Sequence, residues 1–212
     1  SDMAVFSFHP VKSITTGEGG IITTNNKSLY EKLIKLRSHG IEKNSKKFLN
    51  SKAKKFPWYY EVQHLSNHYR LTDFQCVLGS SQLNRLNSFI NKRRQIAAYY
   101  DRVFKNNKNL IPLQNFQRHY SSNHLYILRI NFKKIKKSRT EIMNLLRKKG
   151  IITQVHYIPL ILQKIYDYKF KKSNFKNTLN LYDSILSIPI YFDLKKKDQI
   201  KVINEINNAI EN

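Results

Sequence analysis

The chain has 212 residues, 41% of them hydrophobic and 25% charged, which excludes a disordered polymer and allows one large or two small domains. No apolar run approaches the roughly 20 residues that span a bilayer, and a single cysteine, Cys76, excludes an internal disulfide. There are 38 Lys and Arg against 14 Asp and Glu, a formal charge of +24 that raises the question of nucleic acid. The basic residues are scattered in short clusters, such as Lys46-Lys47, Lys133-Lys134 and Lys195–Lys197. With abundant Asn, Ile and Tyr they read as compositional drift, so no specific nucleic-acid partner is expected. No signal-peptide pattern opens the chain, and a cytoplasmic location is expected.

In chain order, two short apolar runs come first, Ala4–Phe8 and Gly20–Thr24, flanking a loop that holds Lys12, Glu18, Gly17, Gly19 and several hydroxyl side chains. Strand, lysine, glycine-rich turn and strand together can hold an amine in a fixed place. A desolvated lysine loses part of its preference for the ammonium form, and a neutral amine can form a Schiff base. Asn25 or Asn26 caps the next helix, Leu29, Leu33 and Leu36 form its apolar stripe, and Gly40 ends it. Residues 41–57 read as an exposed, lysine-rich excursion. The run Thr72-Asp73-Phe74-Gln75 is a capping box that opens a helix to about Leu86, with Cys76 expected as a buried thiol on it. Its dipole makes the Asn67–Asp73 turn a candidate anion site.

A long helix is predicted over residues 88–104. Phe89, Ile96, Tyr99, Tyr100 and Val103 form its apolar stripe and Lys92-Arg93-Arg94 its wet face. A strand follows over 124–132. A second capping box, Ser138-Arg139-Thr140-Glu141, opens a helix with Ile142, Leu145 and Leu146 inward and Gly150 as its stop. Residues 151–156 and 187–190 read as strands, and a last helix carries Ile203, Ile206 and Ile210 on one face. The histidines lack metal-ligand spacing with cysteine or carboxylates, so no metal site is expected.

Several blocks now stand in order. The first is Ser7-Phe8-His9-Pro10-Val11-Lys12, followed by Thr16-Gly17-Glu18-Gly19-Gly20. Then come Leu36-Arg37-Ser38-His39-Gly40, Tyr69-Arg70-Leu71-Thr72-Asp73 and Gln154-Val155-His156-Tyr157-Ile158-Pro159. Together they resemble the DegT/DnrJ/EryC1/StrS family of sugar aminotransferases, which use pyridoxal phosphate. The resemblance is greatest to the branch that aminates a UDP-linked 4-keto sugar toward pseudaminic acid, and it covers nearly the whole chain. It implies an α/β fold of fold type I: the C-terminal portion of the large mixed-sheet domain over 1–86, then a linking helix and the small α+β domain over 87–212.

The resemblance also implies roles. Lys12 would hold pyridoxal 5'-phosphate through its amine and shuttle a proton. Ser7 would bond the cofactor phosphate, and His9 would lie near the ring. Asn67 and His68 stand where the family has, in this turn, an Asn that reaches the cofactor phosphate of the neighbouring subunit, and His68 occupies that position itself, a departure from the pattern. Arg70, His156 and Tyr157 would face the substrate. The implied reaction moves an amino group from L-glutamate to C4 of a UDP-linked 4-keto-6-deoxy amino sugar. The family places roughly half its chain before the lysine, so a homodimer or a complementing N-terminal half is expected to complete the site. The alternative is a non-catalytic piece that folds and associates without a complete cofactor site, or a weak basic-patch binding module.

Overall fold

A computed structural model describes residues 1–113, 119–166 and 171–211, and these divide into two units, Ser1–Leu86 and Asn87–Asn212. In the first unit the two apolar runs become β1 (Ala4–Ser7) and β2 (Gly20–Thr23), an antiparallel pair with Phe6 opposite Ile21 and Ser7 opposite Gly20. Asn26 caps α1 (Lys27–Arg37), its side chain accepting from the Leu29 amide at 3.1 Å. The helix stops because Gly40 turns at φ 67° and returns its amide to Lys35 O. A Cβ there would sit 1.9 Å from His64 O, so only glycine fits.

Residues 41–57 are more than an exposed excursion. Strand β3 (Ile41–Glu42) pairs with β4 (Glu61–Val62), and two short 3₁₀ turns between them bury Phe48 and Ala53. The pairing sets two buried carboxylates, Glu42 and Glu61, opposite each other. Like charges so placed repel, but each is answered by its own donors. Glu42 accepts from the Asn44 amide at 2.8 Å and pairs with Lys35 at 2.7 Å. Glu61 accepts from the Leu49 and Asn50 amides, both at 2.8 Å, and from Gln63 Nε2 at 2.9 Å. The polar composition that suggested a solvated loop is partly the capping and carboxylate chemistry that folds it.

Those contacts predict a pH dependence. The Lys35 hydrogen bond holds the Glu42 carboxyl below its ordinary 4.5. Burial pushes Glu61 upward, but the bonds from Asn50, Gln63 and Leu49 outweigh it, and its carboxyl too lies below 4.5. A carboxyl lowered on folding stabilises the fold fully above its unfolded value, and that stability disappears as pH falls through the folded value. The protection of the Leu49 and Asn50 amides, taken relative to their intrinsic exchange at each pH, is therefore expected to fall on acidification below about 4.5. Protection of these two amides that persists until the second unit itself unfolds would contradict it.

Thr72 caps α2 (Asp73–Asn84) with both bonds of the capping box in place. None of its residues is buried, and Cys76 is exposed, contrary to the buried thiol expected from the helical run. Apolar neighbours in sequence did not make an inward face here: Phe74 and Val77 are 91% and 70% exposed.

Helix α3 (Leu86–Phe104) starts on the last residue of the first unit and otherwise belongs to the second; its buried positions are Phe89, Arg93, Ile96, Ala97, Tyr100 and Phe104. Arg93 thus lies on the inner face and not on the wet one. The three-and-four spacing from Phe89 through Arg93 to Ile96 and Ala97 puts it there. Its guanidinium donates to the carbonyls of Asn123, His124 and Ile190. Burial lowers its pKa from the usual arginine value. Val103 falls outside this face.

A three-stranded antiparallel sheet follows in the order β5 (Leu110–Pro112), β6 (Tyr126–Ile130), β7 (Ile185–Ile188), with Leu128 opposite Leu186. Residues 151–156 contribute only a single bridge, Gln154 to Ser187, and no strand. Helices α4 (Phe132–Ile135), α5 (Arg139–Lys148), α6 (Lys176–Ser184) and α7 (Lys196–Glu211) complete the unit. The Ser138 capping box is formed, and α5 buries Ile142 and Leu146 while Leu145 stays exposed. Alternate residues of β6 (Tyr126, Leu128, Ile130) meet Tyr100, Phe104, Ile142, Leu146 and Ile206 in one core. Among the described residues no helix is long and apolar enough to cross a membrane.

Candidate functional site

The β1–β2 connection is built by its own hydroxyls. The Phe8 amide donates to Gly19 O at 2.9 Å, and Phe8 O accepts from the Thr16 amide at 3.0 Å and Thr15 Oγ1 at 2.9 Å. Thr16, buried, donates to Glu18 O at 2.7 Å. Gly19, at φ 150°, has no room for a Cβ, which would lie 2.5 Å from Thr16 Oγ1 and 2.7 Å from Leu71 Cδ2. Within this frame the Lys12 amide donates to His9 O at 2.9 Å, a tight turn that carries the half-buried Lys12 side chain. The His9 amide reaches Ser7 Oγ at 3.4 Å, and His9 Nδ1 accepts from the Val11 amide at 3.3 Å. His9 Nε2 lies 3.8 Å from Glu18 Oε1. Ser7, His9 and Lys12 are therefore brought together in one short segment.

Two residues that hold this turn were not singled out as site residues from sequence. Gln75 Nε2 donates to Glu18 O at 2.9 Å. Its Oε1 completes the capping box on the Thr72 amide, also at 2.9 Å. One glutamine thus fixes both the start of α2 and the lysine turn. Glu18 contributes its carbonyl to that link and its carboxylate to His9. The capping-box pattern identified Gln75 as a helix signal, but nothing local in sequence linked it to residues 57 positions earlier.

Asn67, His68 and Arg70 are held against the end of α1. Asn67 O accepts from the His39 amide, the Tyr69 amide donates to Arg37 O, and His68 bridges to Ser38. The Asn67 amide group donates to Tyr69 Oη at 3.0 Å, and the His39 and His68 rings meet edge-on at 5.7 Å. Arg70 lines an open cavity of about 650 Å³ with Tyr30, Lys35, His39, Lys43 and Lys47. The side chains of Asn67, His68 and Arg70 are exposed.

His156 and Tyr157 belong to the second unit, just beyond the Gln154–Ser187 bridge. His156 is half-buried, with Nδ1 2.8 Å from Ser187 Oγ. Tyr157 is 68% exposed, meets the His156 ring edge-on at 4.7 Å, and follows a cis peptide bond. Among the described residues no group of three or more His, Cys, Asp or Glu is placed to hold a metal ion.

The geometry has counterparts among known proteins. The profile of the DegT/DnrJ/EryC1/StrS aminotransferase family matches residues 1–207. The UDP-4-amino-4,6-dideoxy-N-acetyl-beta-L-altrosamine transaminase of Helicobacter pylori is 34% identical over 208 residues, 98% of this chain and 52% of that protein. In structure, the chain is similar to Helicobacter pylori PseC, an aminotransferase involved in the biosynthesis of pseudoaminic acid. The TM-score is 0.87 at 33% identity, covering all of this chain and 54% of PseC. The putative sugar aminotransferase Spr1654 of Streptococcus pneumoniae, in its PLP-form, gives a TM-score of 0.84 at 27% identity, with 100% and 52% covered. The chain spans about half the length of the curated relatives it matches. Its fold is that of the fold-type I sugar aminotransferases, and the chain belongs to the DegT/DnrJ/EryC1/StrS aminotransferase family.

Proposed function

We propose that this chain supplies the lysine-bearing part of a pyridoxal-phosphate-dependent aminotransferase. The enzyme would pass an amino group from L-glutamate to C4 of a UDP-linked 4-keto-6-deoxy amino sugar. The observation that carries the reading is the Lys12 turn: a primary amine, half-buried, held between paired strands by backbone and hydroxyl bonds, with a serine and a histidine in the same segment. That donor set fits the cofactor. An amine suits its aldehyde, and the Ser7 hydroxyl at the end of β1 suits its phosphate.

When bound, pyridoxal phosphate supplies an electron sink for the carbanion formed at an amino acid's α-carbon. The rest belongs to the protein. Lys12 would hold the cofactor through its amine, and its Nζ would serve as the proton carrier at the amino donor's α-carbon. The Val11 amide, donating to His9 Nδ1 at 3.3 Å, orients that ring within the turn, and Glu18 Oε1 lies 3.8 Å from its Nε2. Asn67 and His68, both exposed, would offer hydrogen-bond donors to the cofactor phosphate of a neighbouring copy. Arg70 is read as a substrate-side group of the first unit, and His156 and Tyr157 as substrate-side groups of the second. A second copy or a complementing segment completes the site, a reading supported by the exposed apolar residues of the first unit and by the half-length match to the relatives.

Borohydride reduction in the presence of pyridoxal phosphate and the complementing part tests the reading. Peptide mapping is expected to place the pyridoxyl group on Lys12. Labelling of another lysine, with Lys12 unmodified, would remove its basis.

A further inference from the structure

Strand β7 reads Ile185-Leu186-Ser187-Ile188, and all four residues are buried. A hydroxyl in such a run costs free energy unless it is hydrogen-bonded. Ser187, 4% exposed, meets that requirement with one side-chain partner among the described residues: its Oγ lies 2.8 Å from Nδ1 of His156.

The backbone explains how the two meet. Ser187 and Gln154 exchange both amide–carbonyl bonds, at 2.8 and 3.1 Å, as a single antiparallel bridge. Side chains two residues apart share a face of an extended segment, and diagonal neighbours across such a pair are within reach of long side chains. His156, two residues after Gln154, is that diagonal neighbour. The lone bridge seats one imidazole on one hydroxyl.

We propose that Ser187 is a positioning residue for His156. Its hydroxyl donates to Nδ1, which places the proton of the neutral ring on Nε2 and turns that N–H edge away from β7. A hydrogen-bond donor at Nε2 suits an oxygen acceptor of the substrate, a sugar hydroxyl or a phosphate oxygen. The proposal rests on the reading of His156 as a substrate-side group, and its test separates the two.

The whole chain, labelled with ¹⁵N-histidine, is compared with Ser187→Ala and Ser187→Thr by long-range ¹H–¹⁵N NMR at a pH where the ring is neutral. In the parent, His156 is expected almost wholly as the Nε2–H tautomer. Ser187→Ala should shift the tautomer ratio toward Nδ1–H by about threefold to tenfold, the range set by losing one neutral hydrogen bond. Ser187→Thr, which keeps the hydroxyl, should restore it. A parent ring protonated at Nδ1, or an Ala variant with the parent ratio, overturns the proposal. The same variants are then assayed in the completed enzyme. A raised KM for the sugar nucleotide in Ser187→Ala, with the glutamate half-reaction unchanged, supports both readings. A shifted tautomer with unchanged KM supports the positioning role and overturns the substrate-side role of His156.

Discussion

Replacing Lys12 by histidine in the completed enzyme is expected to lower kcat for amino transfer by about 10⁴-fold. On the proposed role of Lys12, imidazole cannot make the amine link to an aldehyde, and a proton moved at the donor's α-carbon would lose its carrier. The turn that holds the residue should survive the change. Its closing bonds run through Phe8, Thr15, Thr16 and Gly19, and residue 12 contributes only its backbone amide to His9 O. The variant should therefore keep the parent circular dichroism and melting behaviour while losing the half-reaction with glutamate, followed by absorbance. Activity near the parent level would mean that Lys12 is only a turn residue. Gln75→Ala offers a graded companion: it removes one of the two donors to Glu18 O, leaving Thr16 Oγ1, and the acceptor of the Thr72 amide, loosening the same turn without touching the amine.

The second large effect concerns the chain by itself. Hydrogen exchange should show the first unit opening with protection about 10³-fold below that of the second. The described core runs from Ile96 to Ile210, and every residue of it lies in the second unit. The first unit buries only two apolar side chains, Phe48 and Ala53, while Val5, Phe74 and Val77 are 75%, 91% and 70% exposed. Burial of apolar surface is the main force against the entropy of ordering a chain, and the first unit has little of it. The same exposed residues favour association, so the chain alone is expected to self-associate and to bind pyridoxal phosphate weakly. Equal protection in both units, together with a monomer that binds the cofactor tightly, would contradict both the energetic account and the need for a complementing part.

Much of this was present in the linear order of residues, because the signals were local. Capping boxes at Thr72 and Ser138, an Asn cap at 25 or 26 and the stops at Gly40 and Gly150 need only neighbours within one or two turns, and each was legible, the structure choosing Asn26. So was the strand–lysine–glycine–strand block around Lys12, whose closing bonds span few residues and whose order of motifs identifies the family. What only the tertiary structure decided depended on partners distant in sequence. Helical spacing sets Arg93 on the inner face of α3, but a buried guanidinium is satisfied there only because the carbonyls of Asn123, His124 and Ile190 converge on it. Residues 41–57 fold because Glu61 reaches back to the amides of Leu49 and Asn50. Gln75 joins the Lys12 turn to α2, and Ser187 meets His156 through one bridge between distant segments. Cys76 and Phe74 lie exposed because an apolar helical run becomes core only where another surface covers it, and residue order along one helix carries no record of that surface.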